Sequence, residues 1–269
     1  MHDDSHHHGL PHDLKVLHRR QLLRLTAGVG VMTLFACSDD GSAIDETGAT
    51  TDNTTGDSPT GGGSCPSIPK ETAGPYPGDG SNGANALILT GIVRSDIRTS
   101  IADASGTADG VPLTITLTIV DSTCTPLANH AVYLWHCDRD GAYSMYTGSA
   151  SAENYLRGVQ ETDADGKVTF LSIFPACYSG RWPHIHFEVY PSLAATADAG
   201  NKLRTSQLAL PKATCDLVFA TAGYEASVTN LTQVSLASDN IFSDGSDQQL
   251  ADLSGSVAAG YTATLTVPV

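Results

Sequence analysis

The chain has no apolar run approaching the roughly 20 residues that a helix needs to span a bilayer, which excludes an integral helical membrane protein. Basic residues are also scarce: 14 Lys and Arg stand against 29 Asp and Glu in 269 residues, a formal charge of −15. Phosphate binding draws on Lys and Arg to displace counterions, so nucleic acid is excluded as the partner. Aromatics amount to only 6%. Histidine is rarer than its count of 10 implies, because six of the ten fall within the first 18 residues.

Much of what is present near the N-terminus is an address. Arg19-Arg20 precede an uncharged apolar stretch, residues 25–36, too short for an anchor. A basic segment followed by a short apolar one reads as an export signal, and the adjacent arginines point to the twin-arginine route. Leu34-Phe35-Ala36-Cys37 resembles the lipobox of bacterial lipoproteins, which makes Cys37 a candidate lipid anchor. The alternative is an ordinary signal peptide cut nearby, with Cys37 incidental. Residues 38–64 are mostly Ser, Thr, Gly, Asp and Glu, and such a composition cannot bury enough apolar surface to offset its ordering entropy. The expected organisation is therefore a signal over 1–37, a flexible acidic tether over 38–64 and a domain over 65–269. The expected location is periplasmic or cell-surface.

Without the first 37 residues the chain carries 10 basic and 26 acidic residues. Four histidines remain (His130, His136, His184 and His186), while all nine tyrosines stay.

The domain reads as strands. Between Val111 and Val120, Leu113, Ile115, Leu117 and Ile119 alternate with Thr114, Thr116 and Thr118, the period of a half-buried strand. Similar runs cover 87–93, 131–136, 167–173, 184–190, 204–210 and 261–267. Asp140-Gly141 and Asp165-Gly166 mark turns between them. No long amphipathic helix and no repeat is visible. The fold class expected is all-β, an antiparallel sandwich whose long irregular loops, 96–110 and 144–163 among them, carry the site.

His184-Ile185-His186 lies within one of these runs, and residues two apart in a strand share a face. A same-face His pair is a common half of a metal site, although it also arises by chance on surface strands. Tyr143, just after the Asp140-Gly141 turn, and Tyr178, six residues before His184, are available donors; either alone is as readily a packing residue. Two phenolates with two imidazoles form a hard anionic set suited to a trivalent ion.

An ordered set of segments extends this. It comprises Glu71-Thr-Ala-Gly-Pro-Tyr76, the stretch from Trp135 to Tyr143, Asn154-Tyr-Leu-Arg-Gly158, Thr162-Asp-Ala-Asp-Gly166, the Tyr178 to Phe187 block and Arg204-Thr-Ser-Gln207. In this order they resemble the intradiol ring-cleavage dioxygenases across most of residues 70–210. The resemblance implies a non-haem Fe(III) ion held by Tyr143, Tyr178, His184 and His186. It also implies a catechol-type substrate opened by O2 between its two hydroxylated carbons to give a muconate-type diacid. Tyr178 would leave the metal and accept a substrate proton, Arg181 would lie over the ring and stabilise carbanionic character, and Gln207 would line the pocket. Two departures appear. Only five residues separate Tyr178 from His184, and a polar tether replaces the helical N-terminal dimerisation segment of the catechol-type enzymes. Both place the chain with an exported, stand-alone branch, with its particular catechol and oligomeric state open.

Apart from Cys37, the cysteines are Cys65, Cys124, Cys137, Cys177 and Cys215. In an oxidising compartment two disulfides and one free thiol is the simplest count, and a Cys137–Cys177 bond would tie the two tyrosine-bearing segments. Two rival functions remain. One is a non-catalytic binding module with a structural metal, which would need neither Arg181 nor Gln207. The other is a zinc hydrolase, for which Glu188 is the one available base.

Overall fold

The computed structural model describes residues 64–269; the expected export signal over 1–37, with its lipobox-like segment at Cys37, and residues 38–63 of the expected tether lie outside the described residues. Eight strands form two four-stranded sheets. One has the order β4 (Lys167–Ile173), β1 (Pro112–Val120), β8 (Gly260–Pro268), β7 (Asp252–Ser256). The other runs β3 (Arg157–Glu161), β2 (Ala131–Trp135), β5 (His184–Tyr190), β6 (Arg204–Ala209). All neighbouring strands are antiparallel except β1 and β8, which run parallel. Two short helices, α1 (Lys212–Phe219) and α2 (Glu225–Leu231), follow β6. No helix among the described residues is long and apolar enough to cross a membrane.

The alternation in β1 places Leu113, Ile115, Leu117 and Ile119 inside, each at most 1% exposed. They meet Val132 and Leu134 of β2, Ile185 and Phe187 of β5, and Ala263 and Val267 of β8 in one core between the sheets. Full burial of such a side chain stabilises by about 1.5–3 kcal/mol. β2 and β5 behave differently: every residue in them is buried. Val132 and Leu134 of β2 and Ile185, Phe187 and Val189 of β5 face the sandwich, while Ala131, Tyr133, Trp135 and Tyr190 belong to a second apolar cluster with Ala86, Ile92, Tyr143 and Val159. The sheet that carries the His pair is therefore covered on both faces.

The cover on the outer face includes residues 73–86, pinned at several points. Arg157 donates from Nη1 to Pro77 O (2.7 Å) and from Nη2 to Tyr76 O (3.0 Å). Tyr133 Oη also donates to Pro77 O at 2.8 Å. Tyr146 Oη accepts from Gly78 N and donates to Asn82 Oδ1, each at 2.8 Å. Lys202 Nζ bridges Asp79 (2.8 Å) and Glu188 (2.6 Å), whose carboxylates are buried. Gly78, at φ +63°, is required here, because a Cβ would lie 2.7 Å from Arg157 Nη1.

Several expectations need correction. Residues 87–93 form turns closed by Leu89 N to Ala86 O and Ile92 N to Leu89 O, with Ile88 and Val93 facing solvent. Gly91 at φ +90° breaks any extended run there. The 144–163 connection is interrupted by β3, whose sequence RGVQE shows no apolar alternation. β7 was not legible either, being an exposed edge strand of sequence DLSGS. Among the described residues the cysteines form one disulfide, Cys65–Cys124, while Cys137, Cys177 and Cys215 are free and buried. The Cys137–Cys177 bond is not formed: Cys137 Sγ points to Ala176 O and Cys177 Sγ to Arg181 O.

Candidate metal centre

The register of the second sheet builds the floor of the site. Trp135 of β2 pairs with His186 of β5, and His186 pairs with Gln207 of β6, so the three side chains form one row on the outer face. His184 stands two residues along on that face, and its Nε2 lies 3.0 Å from His186 Nε2. His184 Nδ1 donates to Trp182 O at 2.5 Å, which leaves the Nε2 lone pair directed at its neighbour. His186 is held instead by Trp135, with ring centroids 4.9 Å apart and planes 6° from parallel. Burial holds both imidazoles well below their ordinary pKa, and the nearby Arg181 charge adds to it.

Tyr143 arrives from a tightly wired turn. Asp138 Oδ1 accepts from Asp140 N (3.0 Å) and Ala142 N (2.9 Å), and Asp138 Oδ2 accepts from Tyr155 Oη (3.1 Å). Ala176 N donates to Asp138 O, which joins this turn to the segment bearing Tyr178. Gly141, at φ +85°, lets the two segments approach, since a Cβ there would lie 3.1 Å from Tyr178 Cβ. Tyr143 Oη then lies 3.3 Å from His186 Nε2 and 3.5 Å from His184 Nε2, and Tyr178 Oη lies 3.3 Å from His184 Nε2. Burial pushes the Tyr143 phenol well above its ordinary pKa and that of Tyr178 up to about 12.

The fold thus brings Tyr143, Tyr178, His184 and His186 together, their donor atoms 3.0–3.5 Å apart where measured. Such spacings suit donors about 2.0–2.2 Å from a shared centre. Two imidazole lone pairs facing each other, and two phenols that resist ionisation without a cation, are the arrangement a hard trivalent ion would relieve. The soft thiols of Cys137 and Cys177 are engaged with carbonyls instead. Among the described residues no cluster of three His, Cys, Asp or Glu could hold a metal. A metal at this centre therefore depends on the tyrosines.

Arg181 and Gln207 border the same centre. Arg181 Nη1 lies 3.5 Å from His184 Nε2, and Arg181 Nη2 donates to Gln207 Oε1 at 2.6 Å. Gln207 Nε2 donates in turn to Thr72 O at 3.0 Å. A cavity of about 20 Å³ adjoins them, lined by Gly74, Pro75, Tyr76, Trp135, Tyr143 and Arg181 among others. That volume admits a water, so an aromatic ligand enters only if a side chain or the 73–76 segment gives way.

The other sequence candidates lie elsewhere. His136 is buried, with Nδ1 donating to Cys137 O and Nε2 accepting from Ser172 Oγ, both at 2.7 Å. Glu188 is taken up by Lys202 and by Tyr190 Oη at 2.7 Å, which leaves no free base for a hydrolase. Asp138, Arg157 and Asp239 were missed from sequence. Each is a single polar residue with a decisive partner on another segment (Tyr155 for Asp138, Tyr76 and Pro77 for Arg157, Arg181 for Asp239), and no spacing signals that meeting.

Comparison with known proteins supplies the rest. Residues 92–195, which include all four candidate ligands and Arg181, match the family model described as Dioxygenase. A stretch of 93 residues is 36% identical to catechol 1,2-dioxygenase 2 of Acinetobacter lwoffii, covering 35% of this chain and about a third (33%) of that relative. The intradiol ring-cleavage dioxygenase from Tetranychus urticae superimposes with a TM-score of 0.60 at 25% identity, covering 76% of this chain and 94% of that one. The segment match, the partial identity and the shared sandwich agree: over its described domain the chain is similar to intradiol ring-cleavage dioxygenases.

Proposed function

We propose that this protein is an exported, non-haem Fe(III) dioxygenase that opens a catechol-type ring between its hydroxylated carbons with O2, giving a muconate-type diacid. The observation that carries the reading is the convergence of the Tyr143, Tyr178, His184 and His186 donor atoms beside the Arg181 guanidinium. Export and a lipid anchor at Cys37 are proposed from the Arg19-Arg20 signal and the lipobox-like Leu34 to Cys37.

When bound, ferric iron supplies Lewis acidity that makes a chelated catecholate reactive toward dioxygen. The protein residues do the rest. His184 and His186 present neutral nitrogens, as their burial favours. Tyr143, 3% exposed, is the fixed phenolic donor. Tyr178 is more exposed, at the end of a loop with exposed Ser179 and Gly180, and its Oη is placed to exchange its donor role for a substrate proton. Burial works against the Arg181 charge, but its ion pair with Asp239 helps to hold the guanidinium charged. That charge can stabilise negative charge developing on the ring. Trp135 and the 73–76 segment limit water.

The test is purification followed by iron analysis, a visible spectrum and oxygen uptake with a panel of catechols. Tyrosinate-to-iron charge transfer should colour the protein red to purple, and muconate-type products should match the oxygen consumed. A colourless, iron-free protein that consumes no oxygen would instead support the binding-module reading.

A further inference from the structure

Asp239 has no part in the reading above, and it lies outside the family-matched residues 92–195, on the segment that follows α2. Its side chain is fully buried, at 0% exposure. Oδ2 accepts from Arg181 Nε at 2.9 Å and from Trp182 N at 2.7 Å. Oδ1 accepts from Ile241 N at 2.8 Å and Phe242 N at 3.2 Å. The carboxylate is thus anchored by its own segment on one oxygen and holds the Arg181 segment with the other.

The guanidinium is fixed at two of its three nitrogens. Nε is held by Asp239 and Nη2 by Gln207, which leaves Nη1 facing His184. Arg181 needs this support, because it follows the exposed residues Ser179 and Gly180, the latter at φ +83°. A long flexible side chain on such a loop samples many rotamers unless partners select one. Resting on the role of Arg181 given above, we propose that Asp239 is a positioning residue for ring cleavage: it aims the Arg181 guanidinium at the ring.

The test compares wild type, D239N, R181Q and the double variant as full chains loaded with iron. Asp239 touches none of the four donor atoms, so folded D239N should keep its iron content and its visible band. Arg181 acts on charge that develops during reaction, so D239N should lower kcat by about 10- to 100-fold with KM changed far less. D239N should add nothing further in the R181Q background. D239E, which retains the charge, should recover part of kcat, and it replaces D239N in the comparison if the amide variant does not fold. Unchanged kcat, additive losses in the double variant, or loss of iron alongside kcat would each overturn the positioning role. A wild type without iron or oxygenase activity would overturn the functional reading first, before any substitution is made.

Discussion

The indole of Trp135 lies parallel to the imidazole of His186, 4.9 Å away, because β2 and β5 pair these two residues directly. The stack orients a side chain whose Nδ1 has no hydrogen-bond partner among the described residues, unlike His184, whose Nδ1 is bonded to Trp182 O. Trp135→Phe should therefore keep the site, while Trp135→Ala should cost about 3–5 kcal/mol in urea denaturation and weaken iron retention. Equal iron content in Trp135→Ala and wild type would show that the stack is not needed to aim His186.

The two tyrosines should respond differently. Tyr143→Phe removes a donor from a fully enclosed position, and we expect at least about a tenfold loss of iron retention and most of the visible band. Tyr178→Phe, at the more exposed position, should retain iron better while losing turnover. Iron content and absorption spectra of the two variants, measured side by side, check this order.

Arg157 is fully buried, and its donors are spread over Tyr76 O, Pro77 O, Tyr133 Oη, Ser144 O and Ser144 Oγ. Arg157→Ala should cost about 3–5 kcal/mol, because several buried acceptors lose their donor. Arg157→Lys keeps the charge without the planar fork and should fall between. Hydrogen exchange at Gly78 N and Ala86 N should quicken in both variants, if Arg157 is what holds the 73–86 segment down.

The disulfide and the free thiols are separately testable. Cys65–Cys124 joins residues 59 apart, so its removal as a double serine variant should cost roughly 4 kcal/mol on loop entropy. Burial pushes the Cys177 thiol up to about 12 and raises those of Cys137 and Cys215 well above their ordinary value. These three should resist alkylation in the native protein and react on unfolding. Rapid native labelling of Cys177 would contradict this.

Burial holds His136 neutral, with its pKa lowered to about 4. The unfolded chain therefore binds a proton that the folded chain refuses between about pH 6.5 and 4. Its contribution is complete above that window and is lost as pH falls through it, by on the order of 3 kcal/mol. Equilibrium denaturation of wild type and His136→Gln across pH 4–7 should show a smaller acid loss in the variant.

How much of this was legible beforehand follows from which contacts are local. β4 and β5 were readable to their ends and β1 to within a residue, because a period of two decides which side chains share a face. That period also predicted that His184 and His186 project together. The same rule misled at 87–93, where Gly91 turns the chain and only its end meets β3, in a single bridge from Val93 to Val159. It was silent at β3, which is recruited by β2 despite its polar sequence.

By itself the sequence determined the strand-rich class, the same-face histidines, the order of the candidate segments and the family they resemble. Only the tertiary structure decided which cysteines pair, that Arg157 clamps the segment covering the site, and that Asp239 holds Arg181. Side-chain period is a property of a few consecutive residues. Register, loop closure and the meeting of residues 58 positions apart, such as Arg181 and Asp239, are settled only when the sheets pack.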